Sequence, residues 1–137
     1  MALKVEVKPI RVDLSGQVAL VTGASQGIGR AIAETLAANG ATVGLVARSA
    51  DKLKAVAEAI VAAGGKALVL PCDVSQPEAI EQVIAEITER HERLDILVNN
   101  AGVTRDTLLP RMSDAEWDEV LTTNLRGPFL FMRAASR

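Results

Sequence analysis

Apolar residues in this chain follow two patterns that alternate from about residue 15 onward. Continuous apolar runs are typical of strands buried on both faces, and apolar residues that recur every three or four positions are typical of helices. The runs predict strands at 17–21, 42–47, 66–71 and 94–98. The periodic stretches predict helices at 27–39, at 51–63, after Pro77 and after Ser113.

Strands that alternate with helices form a parallel sheet with right-handed crossovers. The pattern therefore predicts the α/β class, with a doubly wound, Rossmann-type sheet in the strand order 3-2-1-4 and helices on both faces. In the first helix, Ile28, Ile32 and Leu36 have the spacing of a buried face. Ser75 is expected to cap the third helix, and Gly127-Pro128 is expected to interrupt the last one.

A glycine-rich segment joins the first strand to the first helix. Gly23 suits a tight turn, Gly27 lets backbone amides approach an anion, and Gly29 lets the helix pack close to the strand. The N-terminus of that helix would face the anion with unpaired N–H groups and the positive end of its dipole. A glycine-rich turn without a ligand is the alternative, but strand, loop and helix in this order favour a phosphate cradle.

The end of the second strand indicates which dinucleotide the chain prefers. An acidic residue there would accept hydrogen bonds from a free ribose 2′-hydroxyl. The sequence instead reads VARS at 46–49, and the guanidinium of Arg48 is suited to a 2′-phosphate. A solvated surface charge is the alternative role for Arg48. The missing acid and the present base together favour NADP over NAD.

Composition argues against several other classes of protein. The 137 residues suffice for one domain, and no apolar run approaches the length of a membrane span. The net charge of −2 mixes both signs and indicates neither a nucleic acid nor a membrane partner. A cytoplasmic location is expected, because no signal-type apolar region occurs and the single Cys72 has no disulfide partner. No cluster of Cys, His and Asp has metal-ligand spacing.

Residues 1–13 differ from the rest, because apolar and charged residues alternate there with a period of two. The alternation suits an extra edge strand or an arm laid on a neighbouring subunit, and a frayed terminus is the alternative. The expected organisation is an N-terminal arm or edge strand at 1–13, followed by a partial dinucleotide-binding domain at 14–137.

Four motifs resemble, in order and spacing, the N-terminal half of a classical short-chain dehydrogenase/reductase. They are TGASQGIG at 22–29, CDV at 72–74, NNAG at 99–102 and TNL at 123–125. Segment 102–109, with Arg111-Met112 and Trp117-Asp118, is similar to the bacterial 3-oxoacyl-[acyl-carrier-protein] reductases of fatty-acid synthesis. The resemblance implies an NADPH-dependent reduction of a 3-oxoacyl thioester to the 3-hydroxyacyl thioester.

The resemblance also implies roles for individual residues. Asp73 would bind the adenine amino group with Val74 beside the ring, and Asn124 would hold a water in a proton relay. The members of the glycine loop would meet the phosphates. The NADP(H)-binding set implied in this way, together with Arg48, is Gly23, Ser25, Gln26, Gly27, Ile28, Gly29, Arg48, Asp73, Val74, Asn99, Ala101 and Gly102.

The sequence departs from the family pattern in the residues that move protons. In this family a tyrosine supplies or removes the proton, a lysine lowers the pKa of that tyrosine, and a serine orients the substrate, all beyond the position that Asn124 matches. This chain has no tyrosine. We therefore expect it to bind NADP(H) without turnover on its own. The alternatives are an oxidoreductase that is active once a C-terminal half is supplied, and a non-enzymatic half-Rossmann unit that self-assembles.

A sheet that ends at the fourth strand would leave apolar surface open. Ile96, Leu97 and Val98 would lie on a free edge, which invites pairing with another chain. The last helix carries Trp117, Val120, Leu121 and Leu125 on one side, followed by a nearly all-apolar stretch at 129–132. We expect a homo-oligomer formed through the edge of the fourth strand, the last helix, or both.

Overall fold

The computed structural model describes residues 11–137, in which four strands alternate with three helices and two further helices follow the last strand. The strands are β1 (Val18–Thr22), β2 (Thr42–Ala47), β3 (Lys66–Pro71) and β4 (Ile96–Val98). The helices are α1 (Gly27–Ala38), α2 (Ala50–Ala62), α3 (Pro77–His91), α4 (Asp114–Leu121) and α5 (Gly127–Ala135). A 3-10 turn at Leu109–Arg111 precedes α4, and a π-helical segment at Thr122–Arg126 joins α4 to α5.

The sheet has the predicted order, β3-β2-β1-β4, and every pair of neighbours is parallel. Val18 of β1 lies opposite Thr42 of β2, and Thr42 lies opposite Lys66 of β3. On the other side of β1, Ala19 lies opposite Ile96. Because every strand runs in one direction, the carboxyl ends of β1, β2 and β4 meet at one edge of the sheet.

Helices cover both faces of the sheet, as predicted, and divide the core into two clusters. Alternate residues of β1 point to opposite faces. Val18 and Leu20 pack with α3 and α5, whereas Ala19 and Val21 pack with α1 and α2. All five residues of β1 are buried, which accounts for its continuous apolar run.

The buried face of α1 differs from the prediction. Its buried residues are Gly29, Ala33 and Ala37, whereas Ile28 is 74% exposed. Small residues at a spacing of four let the helix axis approach the sheet closely. The predicted stripe was wrong at Ile28, because this residue lies at the mouth of the glycine loop, outside the helix–sheet contact.

The helix ends confirm one of the predicted caps and correct another. Ser113 caps α4 in a capping box with Glu116. The N-cap position of α3 is occupied by Gln76, not by Ser75. The backbone N–H of Ser75 donates instead to Asp73 Oδ1 at 2.9 Å, in a turn that precedes the helix.

The interruption predicted at Gly127-Pro128 is a local widening of a helix that continues. The π-helical segment ends at Arg126, and α5 begins at Gly127 with helical dihedral angles. Pro128 has no N–H, and in a regular α-helix its ring would clash with the carbonyl of Asn124. The wider turn before Pro128 accommodates the proline without breaking the helix.

The predicted N-terminal arm falls largely outside the described residues, which begin at Arg11. Within them, residues 11–14 belong to no helix or strand. The backbone N–H of Val12 donates to Asn39 Oδ1 at 2.9 Å, and that of Leu14 donates to the Asn39 carbonyl at 2.8 Å. These bonds attach the segment to the end of α1. No helix within residues 11–137 is long and apolar enough to cross a membrane.

Phe131 tests how strongly α5 holds the sheet. It is 1% exposed in the core cluster with α3, whereas Phe129, two residues earlier, is 51% exposed. We expect Phe131→Ala to lower the free energy of unfolding by about 3–5 kcal/mol, because it removes buried surface and leaves a cavity. In the monomeric chain, Phe129→Ala should cost less than about 1 kcal/mol. Urea unfolding followed by circular dichroism measures both, and equal losses would contradict the packing of α5.

Candidate dinucleotide-binding cleft

A cleft of about 510 Å³ opens at the carboxyl ends of the four strands. This edge of a doubly wound sheet, where neighbouring crossovers leave to opposite faces, is a general place for ligand binding. Most of the predicted binding residues line it: Gly23, Ser25, Gln26, Gly27, Ile28, Arg48, Asp73, Val74, Ala101 and Gly102. Gly29, Asn99 and Asn124 do not.

The glycine loop forms the floor of the cleft. Gly23 and Gly27 have φ angles of 65° and 57°, a left-handed region that residues with a side chain rarely adopt. At Gly29, an added Cβ would collide with the carbonyl oxygen of Gly23 and with the side-chain nitrogen of Asn100. Gly29 therefore contributes from beneath the cleft, by letting α1 begin directly against the end of β1.

Two polar residues that the sequence interpretation missed hold the loop in place. Thr22 is 2% exposed, and its hydroxyl oxygen accepts the backbone N–H groups of Asn100 and Ala101, both at 2.9 Å. The Asn100 side-chain nitrogen donates to the carbonyls of Thr22 and Gly23, at 3.2 and 3.3 Å. A threonine that ends an otherwise apolar strand is the signal that indicates such a contact.

The structure distinguishes between the two neighbouring asparagines of the NNAG motif. Asn100 lines the cleft and joins the end of β4 to the glycine loop. Asn99 is exposed and does not line the cleft. Its predicted part in cofactor binding stays a prediction.

The β2 end of the cleft carries most of its charge. Arg48, Ser49 and Lys52 line it on one side and Asp73 on the other. The backbone N–H of Ser75, which donates to the Asp73 carboxylate, holds the pKa of Asp73 below its usual range, and the charge of Arg48 adds to the effect. Asp73 is therefore ionised near neutral pH and can accept a hydrogen bond from an amino group.

Cys72 lies at the same end of the cleft and is buried. Burial, followed by the neighbouring charge of Asp73, raises the pKa of its thiol to about 11. The thiol is therefore protonated near neutral pH, and its place in the cleft wall is that of a small apolar side chain.

At the opposite end of the cleft, Asn124 ties the loop after β4 to the π-helical segment. Its Oδ1 accepts the backbone N–H of Val103, and its Nδ2 donates to the Val103 carbonyl, both at 2.8 Å. Both polar atoms of the Asn124 side chain therefore bond to backbone. Thr123 and Val103 line the cleft, and Asn124 does not. The predicted role in holding a water stays a prediction.

Acidic residues of α4 fix the rest of this loop. Arg105 donates from its guanidinium to both carboxylate oxygens of Glu119. Glu116 accepts the backbone N–H of Ser113 and the hydroxyl of Thr107, both at 2.8 Å. These donors, the Ser113 N–H first, hold the pKa of Glu116 below its usual range. The loop from β4 to α4 is therefore attached at Val103, Arg105 and Thr107.

The cleft has the features that a nicotinamide dinucleotide requires. A glycine loop and the start of a twelve-residue helix can face a diphosphate, and an added Cβ at Gly27 would meet no protein atom within 4 Å. Arg48 and Lys52 supply positive charge at one end. Among residues 11–137 no group of three or more His, Cys, Asp or Glu side chains is placed to hold a metal ion.

Fold and cleft together define a nucleotide-binding α/β domain of the Rossmann type. Residues 17–137 match the family model for short chain dehydrogenases, and the chain belongs to this family. The resemblance stated for the sequence motifs is thereby confirmed.

Within the family, the chain is similar to curated reductases of one type. The chain is 49% identical over 125 residues to a 3-oxoacyl-[acyl-carrier-protein] reductase of Escherichia coli strain K12, covering 91% of this chain and 50% of that protein. It is 46% identical over 129 residues to the reductase of the same name from Aquifex aeolicus, covering 93% and 52%. The chain therefore spans about half the length of the curated relatives that it matches.

Solved structures agree with the fold. A metagenomic short-chain oxidoreductase, crystallised in complex with NADP, superposes with a TM-score of 0.86 at 50% identity, over 89% of this chain and 56% of that one. A dehydrogenase/reductase from Sinorhizobium meliloti 1021 superposes with a TM-score of 0.88 at 45% identity, over 91% and 50%.

Thr22 offers a test of the bracing below the cleft. Thr22→Val keeps the shape of the side chain and leaves the N–H groups of Asn100 and Ala101 without their acceptor. We expect the free energy of unfolding to fall by about 2 kcal/mol or more. Thr35→Val is the control, because its hydroxyl donates to Ala31 on the exposed side of α1, and it should change stability by less than about 0.5 kcal/mol. Urea unfolding compares the two, and a neutral Thr22→Val would contradict the bracing.

Proposed function

We propose that this chain is the NADP(H)-binding half of a short-chain dehydrogenase/reductase that acts on a 3-oxoacyl thioester. The observation that carries the proposal is the cleft itself, in which a glycine loop, a helix N-terminus and Arg48 face one space. The similarity to 3-oxoacyl-[acyl-carrier-protein] reductases supports the substrate class. The single cysteine, which is buried and protonated, is compatible with a reducing, cytoplasmic location.

Charge at the end of β2 supports NADP over NAD. Arg48 follows the last residue of β2 and lines the cleft, and no carboxylate stands in the segment 46–49. A guanidinium pairs well with phosphate oxygens. The NADP bound in the metagenomic relative is consistent with this choice.

The residues of the chain would bind and orient the reactants. Backbone N–H groups of the glycine loop would hold the diphosphate, and Asp73 would accept a hydrogen bond from the adenine amino group. The pairing of Asn124 with Val103 would set the position of the loop beside the nicotinamide. Bound NADPH would supply the hydride that reduces the carbonyl carbon.

The residues proposed to bind and orient the reactants do not account for proton transfer. Reduction of a carbonyl also requires a proton at its oxygen. The chain contains no tyrosine, the residue to which the family resemblance assigns that proton. We therefore propose that the 137-residue chain binds NADP(H) without turning over a ketone by itself.

A second candidate is an oxidoreductase completed by a separately supplied C-terminal half. It is favoured by the outer edge of β4, with which no strand among residues 11–137 pairs. Ile96, Leu97 and Val98 are only partly buried along that edge. NADPH-dependent reduction of a ketone that appears only after such a half is added would support this candidate.

Gly27 provides the test of NADP(H) binding. In Gly27→Ala, the new methyl group would occupy the cradle, and we expect NADPH to bind at least about tenfold more weakly. Gly64→Ala is the matched control, since Gly64 also has a positive φ of 88° and lies outside the cleft. Both variants should lose about 1 kcal/mol of stability from backbone strain.

Titration of NADPH fluorescence separates strain from binding. The binding proposal requires that Gly27→Ala lose affinity while Gly64→Ala keeps it. If NADPH binds neither to the parent chain nor to the variants, the chain is better described as the self-assembling, non-enzymatic unit.

We further propose that the chain self-associates. The α4–α5 stripe consists of Trp117, Leu121, Leu125, Phe129 and Met132. These side chains recur every three or four residues along the continuous helix and are between 39% and 66% exposed. A second copy of the chain is the proposed occupant, because an apolar stripe complements its own copy and a net charge of −2 opposes pairing only weakly.

Leu125→Glu tests this interface. We expect the parent chain to sediment as an oligomer at micromolar concentration and Leu125→Glu to shift it toward monomer, because a buried carboxylate opposes the contact. Val61→Glu on α2 is the control, since Val61 is 60% exposed and belongs to the other face of the sheet. A parent chain that sediments as a single monomeric species would overturn the proposal.

A further inference from the structure

Lys52 lines the cleft and carries a positive charge to which the sequence analysis gives no role. It belongs to the first turn of α2, and its ammonium nitrogen lies 3.5 Å from Gln26 Oε1 in the glycine loop. Both residues line the cleft, together with Arg48 and Ser49. Lys52 thus reaches from the β2 end of the cleft to the loop that begins α1.

The position of Lys52 follows from the cap of α2. Ser49 is the N-cap, and its hydroxyl accepts the backbone N–H of Lys52 at 3.4 Å. Side chains on a helix lean toward its N-terminus. A lysine in the first turn therefore extends back past the cap and over the cleft, where Arg48 already stands.

The charge of Lys52 is available to a ligand. None of the ion pairs formed within residues 11–137 includes Lys52 or Arg48. The contact of Lys52 with Gln26 is long and joins the ammonium to a neutral amide, so an anionic oxygen would displace it with a gain in energy. Asp73, the acidic residue that lines this end of the cleft, accepts the backbone N–H of Ser75.

We propose that Lys52 is the second cation for the 2′-phosphate of NADP, alongside Arg48, and that Gln26 keeps the Lys52 ammonium group at the cleft until the phosphate binds. The inference rests on the proposed function and deepens it, because it makes Lys52 a determinant of NADP over NAD specificity. A solvated surface lysine would have no such effect. A lysine that bound the diphosphate would strengthen both dinucleotides equally.

Affinities of the 137-residue chain for NADPH and NADH test the proposal. We expect Lys52→Ala to weaken NADPH binding about tenfold and NADH binding less than about twofold, because only the charge-assisted contact with the 2′-phosphate is lost. Lys54→Ala is the matched control: it removes the same charge from the same helix at an exposed residue outside the cleft. It should change both affinities less than about twofold.

Phosphorus NMR supplies a second readout. A nearby ammonium favours the dianionic phosphate and therefore lowers the pKa of the 2′-phosphate of bound NADP. In Lys52→Ala this pKa should rise toward that of the free nucleotide, while the diphosphate resonances stay unchanged. Lys52→Arg should keep both the affinity for NADPH and the lowered pKa.

The outcomes separate this inference from the proposed function. A parent chain that binds neither dinucleotide overturns both. A parent chain that prefers NADPH, with a Lys52→Ala variant of unchanged preference, overturns only the role of Lys52. Equal losses for NADPH and NADH would place the ammonium at the diphosphate and would also overturn the specificity role.

Discussion

The close approach of the start of α1 to the ends of β1 and β4 is the constraint on which the rest of the structure depends. Gly29 permits it, because any side chain there would collide with the Gly23 carbonyl and with Asn100. Asn100 and Thr22 then form hydrogen bonds across the contact, so that the backbone N–H groups of Asn100 and Ala101 have an acceptor in Thr22. The glycine loop is held open by these contacts from beneath, which leaves its upper surface free to face a ligand.

The fold also determines how charged groups are distributed along the cleft. Its positive groups, Arg48 and Lys52, follow β2 and begin α2, where the helix dipole adds to their effect. Its acidic group at that end, Asp73, is kept ionised by the turn that leads into α3. Glu119, at the far end, is paired with Arg105. A ligand with phosphates at one end and an uncharged amide ring at the other would match this distribution.

Much of the fold could be predicted from the sequence, because buried parallel strands need continuous apolar runs and amphipathic helices need periodic ones. Two strands, 42–47 and 66–71, have the predicted bounds, and the sheet order is as expected. The predictions that were wrong concern where a side chain points and which residue occupies a cap, and the pattern of apolar residues along the sequence does not specify either. Ile28 has helical spacing but lies at the loop mouth, and Ser75 precedes Gln76 at the cap of α3. The contacts of Asn100 and Lys52 join segments far apart in the chain, so only the folded structure could reveal them.

Cofactor binding and proton transfer depend on different parts of such a fold. The groups that would hold the dinucleotide lie on loops directly after β1, β2, β3 and β4, each positioned by the strand before it and the helix after it. Adjacent strands supply these groups, so a sheet of four strands is sufficient to assemble the cleft. The proton donor of the family has no counterpart among these loops, because the chain has no tyrosine. Under the proposed function, the four loops of this chain would carry nucleotide binding, and the proton donor would lie outside them.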